Sequence, residues 1–351
     1  MRNALGLMLA SVVAAVVIAA GGWFYYSSRA DQGAPKTIAA RAADPLPAQA
    51  KLAAKDDVST TAAIADKPTA LAQAAPPAPA APVQPKQACA NPNALGVSRV
   101  VEIDTTGGPG FGFETFKQFD FLTDKEVVLT FDDSPWPVNT PAVLKALAEE
   151  CTKGLFFSVG KHASWHPEIL RQVLAQGHTV GTHTWSHLNL NSKKLTEQQA
   201  KDEIEKGFSA VKLALGTNPA PFFRFPQLQH NPAMVTYLGT RNVAMWSTDL
   251  DSFDFRKGAT PDKIVNTVMT KLDKLGKGIV LMHDFQKNTG EALPALLARL
   301  KAGGYKIVQI KAKTTFQSLP EYDEAVLKEL KVPTASTTTR PISSVVQTVS
   351  Q

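Results

Sequence analysis

Acidic, imidazole and guanidinium side chains gather at five places in this chain, each at the end of a short apolar run. They are Thr130-Phe131-Asp132-Asp133, the stretch Gly181-Thr182-His183-Thr184-Trp185-Ser186-His187, Phe222-Phe223-Arg224-Phe225-Pro226, the group Asp249, Asp251 and Asp254-Phe255, and Leu281-Met282-His283-Asp284. Two neutral imidazoles and one carboxylate can hold a catalytic zinc and leave a position for water. Such a metal lowers the pKa of its water to about 7 and polarises a carbonyl. Of two adjacent aspartates, one can ligate while the other takes a proton from that water, a contribution of about 10²–10⁴-fold. A histidine across the site can protonate a departing amine, and an aspartate beside it favours the charged form. An arginine against the basic aspartate holds its geometry. Together these are the parts of an amide or ester hydrolase.

Each feature alone has a commonplace explanation. An Asp doublet is often a turn, and a lone Arg at a strand end is often half of a structural ion pair. His162 and His166 have the same i, i+4 spacing as His183 and His187. Pro167 separates the cases, because the residue before a proline is pushed out of helical geometry. The first pair therefore reads as a cap and a surface histidine. The order of the five groups along the chain, each behind an apolar run, favours a single site.

The elements that must position them follow from the hydrophobic pattern. Seven β-rich runs stand out: Glu126–Phe131, Leu155–Val159, His178–Gly181, Phe222–Phe225, Val243–Trp246, Ile279–Met282 and Tyr305–Ile310. Amphipathic segments lie between them, including Pro141–Cys151, Pro167–Gln176, Thr196–Leu215 and Pro261–Leu275. Thr140-Pro141, His166-Pro167 and Thr260-Pro261 are helix-start signals with proline at the first helical position. Strands alternating with helices predict parallel βαβ units, and seven of them predict an α/β fold, a seven-stranded (β/α) barrel, rather than an open sheet. Chemistry in such barrels sits on the loops after the strands' carboxyl ends. Upstream, Val97–Ile103 and the turn-rich Gly107–Gly110 read as a lead-in. Those glycines lack a following Gly-Lys-Ser/Thr, which argues against a phosphate loop.

From Asp120 to Leu319 the sequence resembles the polysaccharide deacetylase family, the NodB-homology domain of carbohydrate esterase family four, with all five of its ordered motifs. The resemblance implies a distorted (β/α) barrel and a divalent metal, commonly Zn²⁺. It implies Asp132 as general base and Asp133, His183 and His187 as metal ligands. Arg224 would orient Asp132, and the backbone N–H of Gln227 would stabilise the oxyanion. Asp254 would tune His283 as general acid, with Leu281 beside the acetyl methyl and Phe255 as an aromatic wall. The chain departs from the family pattern at three points: Ser134 where Gly is usual, Phe255 where Trp is usual, and Gln227-Leu228 where Tyr-Gly is usual. The implied activity is release of acetate from an N-acetylated polysaccharide, peptidoglycan first or another N-acetylglucosamine glycan. An O-acetyl xylan esterase or a small-amide hydrolase would use the same site, and an inactive tethered glycan-binding protein is the alternative from another class.

Composition places this core in a longer chain. Of 351 residues, Ala4 to Tyr26 are apolar and uncharged, Asp31 to Ala90 are rich in Ala, Pro, Gln and Thr, and Pro333 to Gln351 are Ser/Thr-rich. Roughly 23 helical residues span a hydrocarbon layer of about 30 Å, and Trp23-Phe24-Tyr25-Tyr26 suits the headgroup belt. The expected organisation is a signal anchor or signal peptide over residues 1–28, a disordered linker over 29–90, the barrel over 91–320, and a short helix with a polar tail over 321–351. The body is then exported, tied to the membrane and extracytoplasmic, in the periplasm or at the cell surface. The net charge is +6, with 8 Lys/Arg against 5 Asp/Glu before residue 91 and 29 against 26 after it. A core this balanced, with no basic stripe, is not that of a nucleic-acid binder. The two cysteines, Cys89 and Cys151, can pair in an oxidising compartment or stay as two thiols. A bond closing a loop of that size would contribute roughly 4 kcal/mol.

Overall fold

Period-two alternation along each strand decides which side chains meet the helices and which fill the barrel. In the computed structural model, which describes residues 89–331, the chain runs β1 (Arg99–Ile103), β2 (Gly110–Phe111), β3 (Glu126–Ser134), α1 (Asn139–Glu149), β4 (Leu155–Ser158), α2 (Gly160–Trp165), α3 (Pro167–Ala175), β5 (Thr179–Thr182) and α4 (Glu197–Leu215). It continues through β6 (Phe222–Phe223), α5 (Pro232–Thr240), β7 (Ala244–Trp246), β8 (Leu250–Asp251), α6 (Pro261–Leu275), β9 (Gly278–His283), α7 (Lys287–Ala302), β10 (Lys306–Ala312) and α8 (Pro320–Glu329). Thr196 caps α4 with a capping box to Gln199, and Thr260 caps α6 ahead of Pro261. His166 sits between α2 and α3 at φ −133°, so Pro167 does end one helix and begin the next. The first long helix begins at Asn139, two residues before the expected Pro141. The first turn of a helix tolerates proline because its N–H groups have no intrahelical partner.

All strand pairs are parallel. The wall runs β8-β9-β3-β4-β5-β6-β7, with β2 added beyond β7. It has seven strands and is distorted, because β7 and β8 do not pair. The membership differs from expectation at one strand. Tyr305–Ile310 forms β10, which pairs along its length with β1 and meets β3 only at Lys306 and Ile307. The short β8 takes the seventh place in the wall. Its two residues lie inside an aspartate-rich stretch whose composition carries no strand signal.

Outward residues Val127, Leu129 and Phe131 of β3 and Val280 and Met282 of β9 pack under α1, α6 and α7. Inward residues Val128, Leu155, Phe157, Phe222, Ala244, Trp246 and Ile279 fill the barrel, while Ile103, Val308 and Ile310 belong to the same cluster from the N-terminal side. The inward positions one step further along the strands are polar: Thr130 and Asp132 on β3, His183 after β5, Arg224 after β6 and His283 on β9. The alternation that builds the apolar plug thus delivers a polar layer above it.

Cys89 and Cys151 form a disulfide, Cα–Cα 5.9 Å, across a sequence separation of 62. Around it the Glu150 carboxylate accepts from the Leu95 N–H at 2.6 Å and from Lys301 at 2.8 Å, so the incoming chain is fastened to the end of α1. At the other end of the core, α8 packs on α4 through Lys212–Asp323 at 2.7 Å and Lys206–Glu329 at 3.0 Å. The expected membrane segment, nearly all of the linker and the tail from residue 332 lie outside the described residues. Among the described residues no helix is long and apolar enough to cross a membrane.

Candidate active site

Asp132 and Asp133 are consecutive, and consecutive strand residues ordinarily point to opposite faces. Here the β3–β4 register shifts between Asp132 and Ser134, and Asp133 takes φ 72°. This bulge turns both carboxylates the same way. His183 Nε2 lies 3.8 Å from Asp132 Oδ2 and 3.7 Å from Asp133 Oδ1, and His187 Nε2 lies 3.4 Å from the same Asp133 oxygen. Ligand atoms of Asp133, His183 and His187 all lie within 4.8 Å of one another.

The surroundings prepare these groups. His183 Nδ1 donates to the Arg224 carbonyl at 2.7 Å, which leaves Nε2 with its lone pair toward the carboxylates. Burial lowers the His183 pKa to about 4, so the ring is neutral at ordinary pH. Asp133 Oδ1 is buried without a hydrogen-bond partner. The His187 loop bends through positive φ at Thr184 and His187 and is closed by the His187 N–H donating to Thr184 Oγ1 at 2.9 Å. α4 holds this loop from behind. Glu203 accepts from the Ser186 N–H and hydroxyl, both at 2.8 Å, and Gly207 packs so closely that a Cβ there would stand 2.7 Å from the Thr184 backbone.

Arg224 is fully buried inside the barrel, its guanidinium 4.3 Å from the Phe157 ring centroid. Nη1 donates to Asp132 Oδ1 at 2.7 Å and to Thr130 Oγ1 at 2.8 Å, and Nη2 donates to the Ser247 carbonyl at 2.8 Å. Asp132 pairs in register with His283 on β9. Asp254 accepts from His283 Nδ1 at 2.7 Å and from its backbone N–H at 2.6 Å, and Thr289 donates to the same carboxylate at 2.6 Å. Burial alone would lower the His283 pKa, but the hydrogen bond and charge of Asp254 outweigh it and raise it to about 9.

Comparison with known proteins places this geometry. The polysaccharide deacetylase family model matches residues 121–245. A chitooligosaccharide deacetylase of Azorhizobium caulinodans is 32% identical over 166 residues, 45% of this chain and 73% of that protein. A peptidoglycan-N-acetylglucosamine deacetylase of Bacillus cereus is 33% identical over 198 residues, 53% of this chain and 87% of that protein. The chain belongs to the polysaccharide deacetylase family.

A further relative, a peptidoglycan-N-acetylglucosamine deacetylase of Listeria monocytogenes, is 33% identical over 188 residues, but this chain spans only 38% of its length. Among solved structures, a peptidoglycan deacetylase of Bdellovibrio bacteriovorus superposes with a TM-score of 0.56 at 31% identity, over 63% of this chain and 61% of that one. In this member of the family, Asp132, Asp133, His183, His187, Arg224, Asp254 and His283 meet at the carboxyl ends of the strands. Leu281 is buried two residues before His283 on the same inward face of β9. Phe255 is half exposed, its ring centroid 5.2 Å from that of His283. Gln227 lies in a tight turn after Arg224 at φ 57°, its side-chain oxygen accepting from Asn189 at 3.0 Å. Ser134 is fully buried, its hydroxyl hydrogen-bonded to that of Ser158 at 2.7 Å.

Two site neighbours are not evident from sequence. His162, expected at the surface, is partly buried, and its Nδ1 donates to the Asp133 carbonyl at 2.7 Å, bracing the bulge. Nothing local signals this contact, which joins residues 29 apart. Asp284 is fully buried, accepts from Thr140 Oγ1 at 2.5 Å, and has its pKa pushed well up by burial. Its position beside His283 was the available clue.

The residues fit a divalent metal: a buried carboxylate oxygen lacking a donor faces two imidazoles, one of them held with Nε2 unprotonated. A donor set of one carboxylate and two imidazoles is that of a catalytic site with open positions.

Proposed function

We propose that this chain is a metal-dependent hydrolase that removes acetyl groups from an N-acetylated polysaccharide, peptidoglycan or a related N-acetylglucosamine glycan. The observation that carries it is the convergence of Asp133, His183 and His187 beside an Arg-held Asp132, with Asp133 Oδ1 otherwise unpartnered. The names of the relatives support the substrate class.

Asp133, His183 and His187 would hold the metal, a ligand set that suits Zn²⁺, and it would supply Lewis acidity toward the acetyl carbonyl and water. Asp132 takes the proton from the attacking water, and Arg224 and Thr130 keep its carboxylate aimed. The Gln227 N–H donates to the oxygen that gains charge in the transition state. His283, cationic through Asp254, gives a proton to the departing amine. Leu281 lines the space of the acetyl methyl, and Phe255 walls the sugar side.

The deciding experiment is acetate release from N- and O-acetylated oligosaccharides, with and without chelator. N-acetyl turnover abolished by chelator and restored by metal is expected; selective O-acetyl release would move the substrate to an ester. Asp132→Asn should lose at least about 10²-fold in kcat and retain metal. Unchanged turnover in that variant would remove Asp132 from its role.

We further propose that the domain works outside the cytoplasm, tied by residues 1–28 through the Ala/Pro-rich linker. The disulfide supports this placement, since such bonds persist in oxidising compartments. Fusion to the chain of a reporter active only outside the cytoplasm tests it, and a full-length fusion without reporter activity would refute it.

A further inference from the structure

The barrel wall is open between β7 and β8, which do not pair. A cavity of about 290 Å³ lies beside this seam. β8 lines it through Asp251, α6 through Lys271, Lys274 and Leu275, and the segment after β2 through Glu114. None of the residues placed in the catalytic cleft lines it, so it stands apart from the deacetylase reading. Asp249 stitches the seam, its carboxylate accepting from the Phe113 N–H at 2.6 Å and the Ile279 N–H at 2.7 Å. The other charged groups of the cavity are left over. Among the described residues Glu114, Asp251, Lys271 and Lys274 form no ion pair, with one another or elsewhere. Lys271 Nζ gives one hydrogen to the Asp251 carbonyl at 2.7 Å and keeps two to donate. Asp251 Oδ1 accepts from the Phe253 N–H at 2.8 Å, and its second oxygen has no partner among the described residues.

Burial pushes the Lys271 pKa down and the Asp251 pKa up, because each group has lost water without a counter-charge in contact. Phe253 walls the same space at φ 58°, a rare backbone for an aromatic residue, and such strain is retained chiefly at functional sites. Its ring is fixed by two cations, Lys271 Nζ at 3.8 Å and the Arg256 guanidinium at 3.7 Å from the centroid. Leu275, 52% exposed, adds a second apolar surface. An anion in this cavity would meet two carboxylates, and a cation would meet two ammonium groups. An uncharged sugar would leave all four without counter-charge. One molecule carrying both charges completes every group, and the space suits an amino acid or dipeptide rather than an oligosaccharide. We propose that the cavity binds a small zwitterion of the amino-acid type with an apolar side chain. Its carboxylate lies on Lys271 and Lys274, one turn apart on α6, and its ammonium on Glu114 and Asp251. The side chain rests against Phe253 and Leu275.

The test is calorimetric titration of the full chain with leucine, as both enantiomers. Beside it run 4-methylpentanoate, which is leucine without the ammonium, and 3-methylbutylamine, which is leucine without the carboxylate. At least one enantiomer should bind saturably, and each analogue should bind at least about tenfold more weakly for want of one charge-assisted contact. Lys271→Met, which keeps the stem and removes the charge, should weaken leucine binding by about tenfold. Glu114→Gln and Lys274→Gln change exposed side chains and leave the packing alone, so they decide the matter even where Lys271→Met does not fold. Each should weaken leucine binding a few-fold. Lys145→Gln, exposed on α1 outside the cavity, should bind like the parent. Absence of saturable binding by either enantiomer overturns the proposal. So does an analogue that binds as tightly as leucine, or a leucine affinity unmoved by both Glu114→Gln and Lys274→Gln.

Discussion

A buried carboxylate oxygen without a donor costs about 1–3 kcal/mol or more, and folded proteins keep few of them. Asp133 Oδ1 is one, set between two imidazoles. His183→Ala should therefore empty the metal site, and full occupancy in elemental analysis would count against the ligand set. At the other side of the cleft, His283 titrates near 9 instead of near 6.5, so its cationic form is complete below 6.5 and is lost as pH rises through about 9. Activity that needs this proton should fall along the same limb. Asp254→Asn removes the charge that sustains it, leaving burial to dominate, and the basic limb of kcat/KM should move to lower pH by two units or more. A limb that stays in place would exclude His283 as the acid. That Asp132, Asp133, His183, His187, Arg224 and His283 stand at one rim was legible from residue types behind apolar runs, whereas Asp254 was separated from Asp249 and Asp251 only by the family resemblance. His162 was not legible, because its tie to the Asp133 carbonyl spans a helix, and no neighbouring residue encodes it.

At the scale of elements, the site depends on two local departures from regularity. One is the β3 bulge that turns Asp133 beside Asp132. The other is the His183–His187 loop, which α4 grips through Glu203. Partners behind metal ligands typically matter by 10–100-fold in affinity. Glu203→Ala should weaken metal binding by roughly tenfold in a chelator competition, and Glu203→Gln, which keeps an acceptor for Ser186, should recover part of it. If Ala and Gln variants bind metal like the parent, the loop is positioned by its own turn geometry. Strand and helix order were readable from periodicity and from Thr196, Thr260 and Pro167. The place of β10 was not, because an apolar run states that a strand exists and leaves its neighbour open.

Two features govern the molecule as a whole. The Cys89–Cys151 bond closes a loop of 62 residues, and in the chain-entropy model its loss lowers stability by about 4 kcal/mol. Cys89→Ser with Cys151→Ser should shift chemical denaturation accordingly; a midpoint equal to that of the oxidised parent would mean the constraint is already met by the Glu150 contacts. The second feature is His178, whose pKa burial holds near 3, with Nδ1 accepting from the Gly154 N–H at 3.1 Å. A histidine kept neutral in the fold contributes stability that is intact above about 6.5 and declines as pH falls toward 3. His178→Gln should flatten the pH dependence of unfolding over that interval, and an unaltered slope would assign the acid loss to other groups.

The amino-acid sequence by itself determined the alternation of strands and helices, the residues able to do chemistry, and the end of the barrel at which they stand. These follow from local rules: hydrophobic period, proline and capping signals, and the chain order of motifs. Tertiary structure alone decided that β8 and not β10 completes the wall, that a bulge is what turns Asp133 beside Asp132, that Arg224 reaches Asp132 from a fully buried position, and that Trp136, His162 and Trp165 align beyond His283. Each of those outcomes depends on which distant surfaces pack together, and packing is settled by shape and burial across the whole core rather than by any stretch of neighbouring residues.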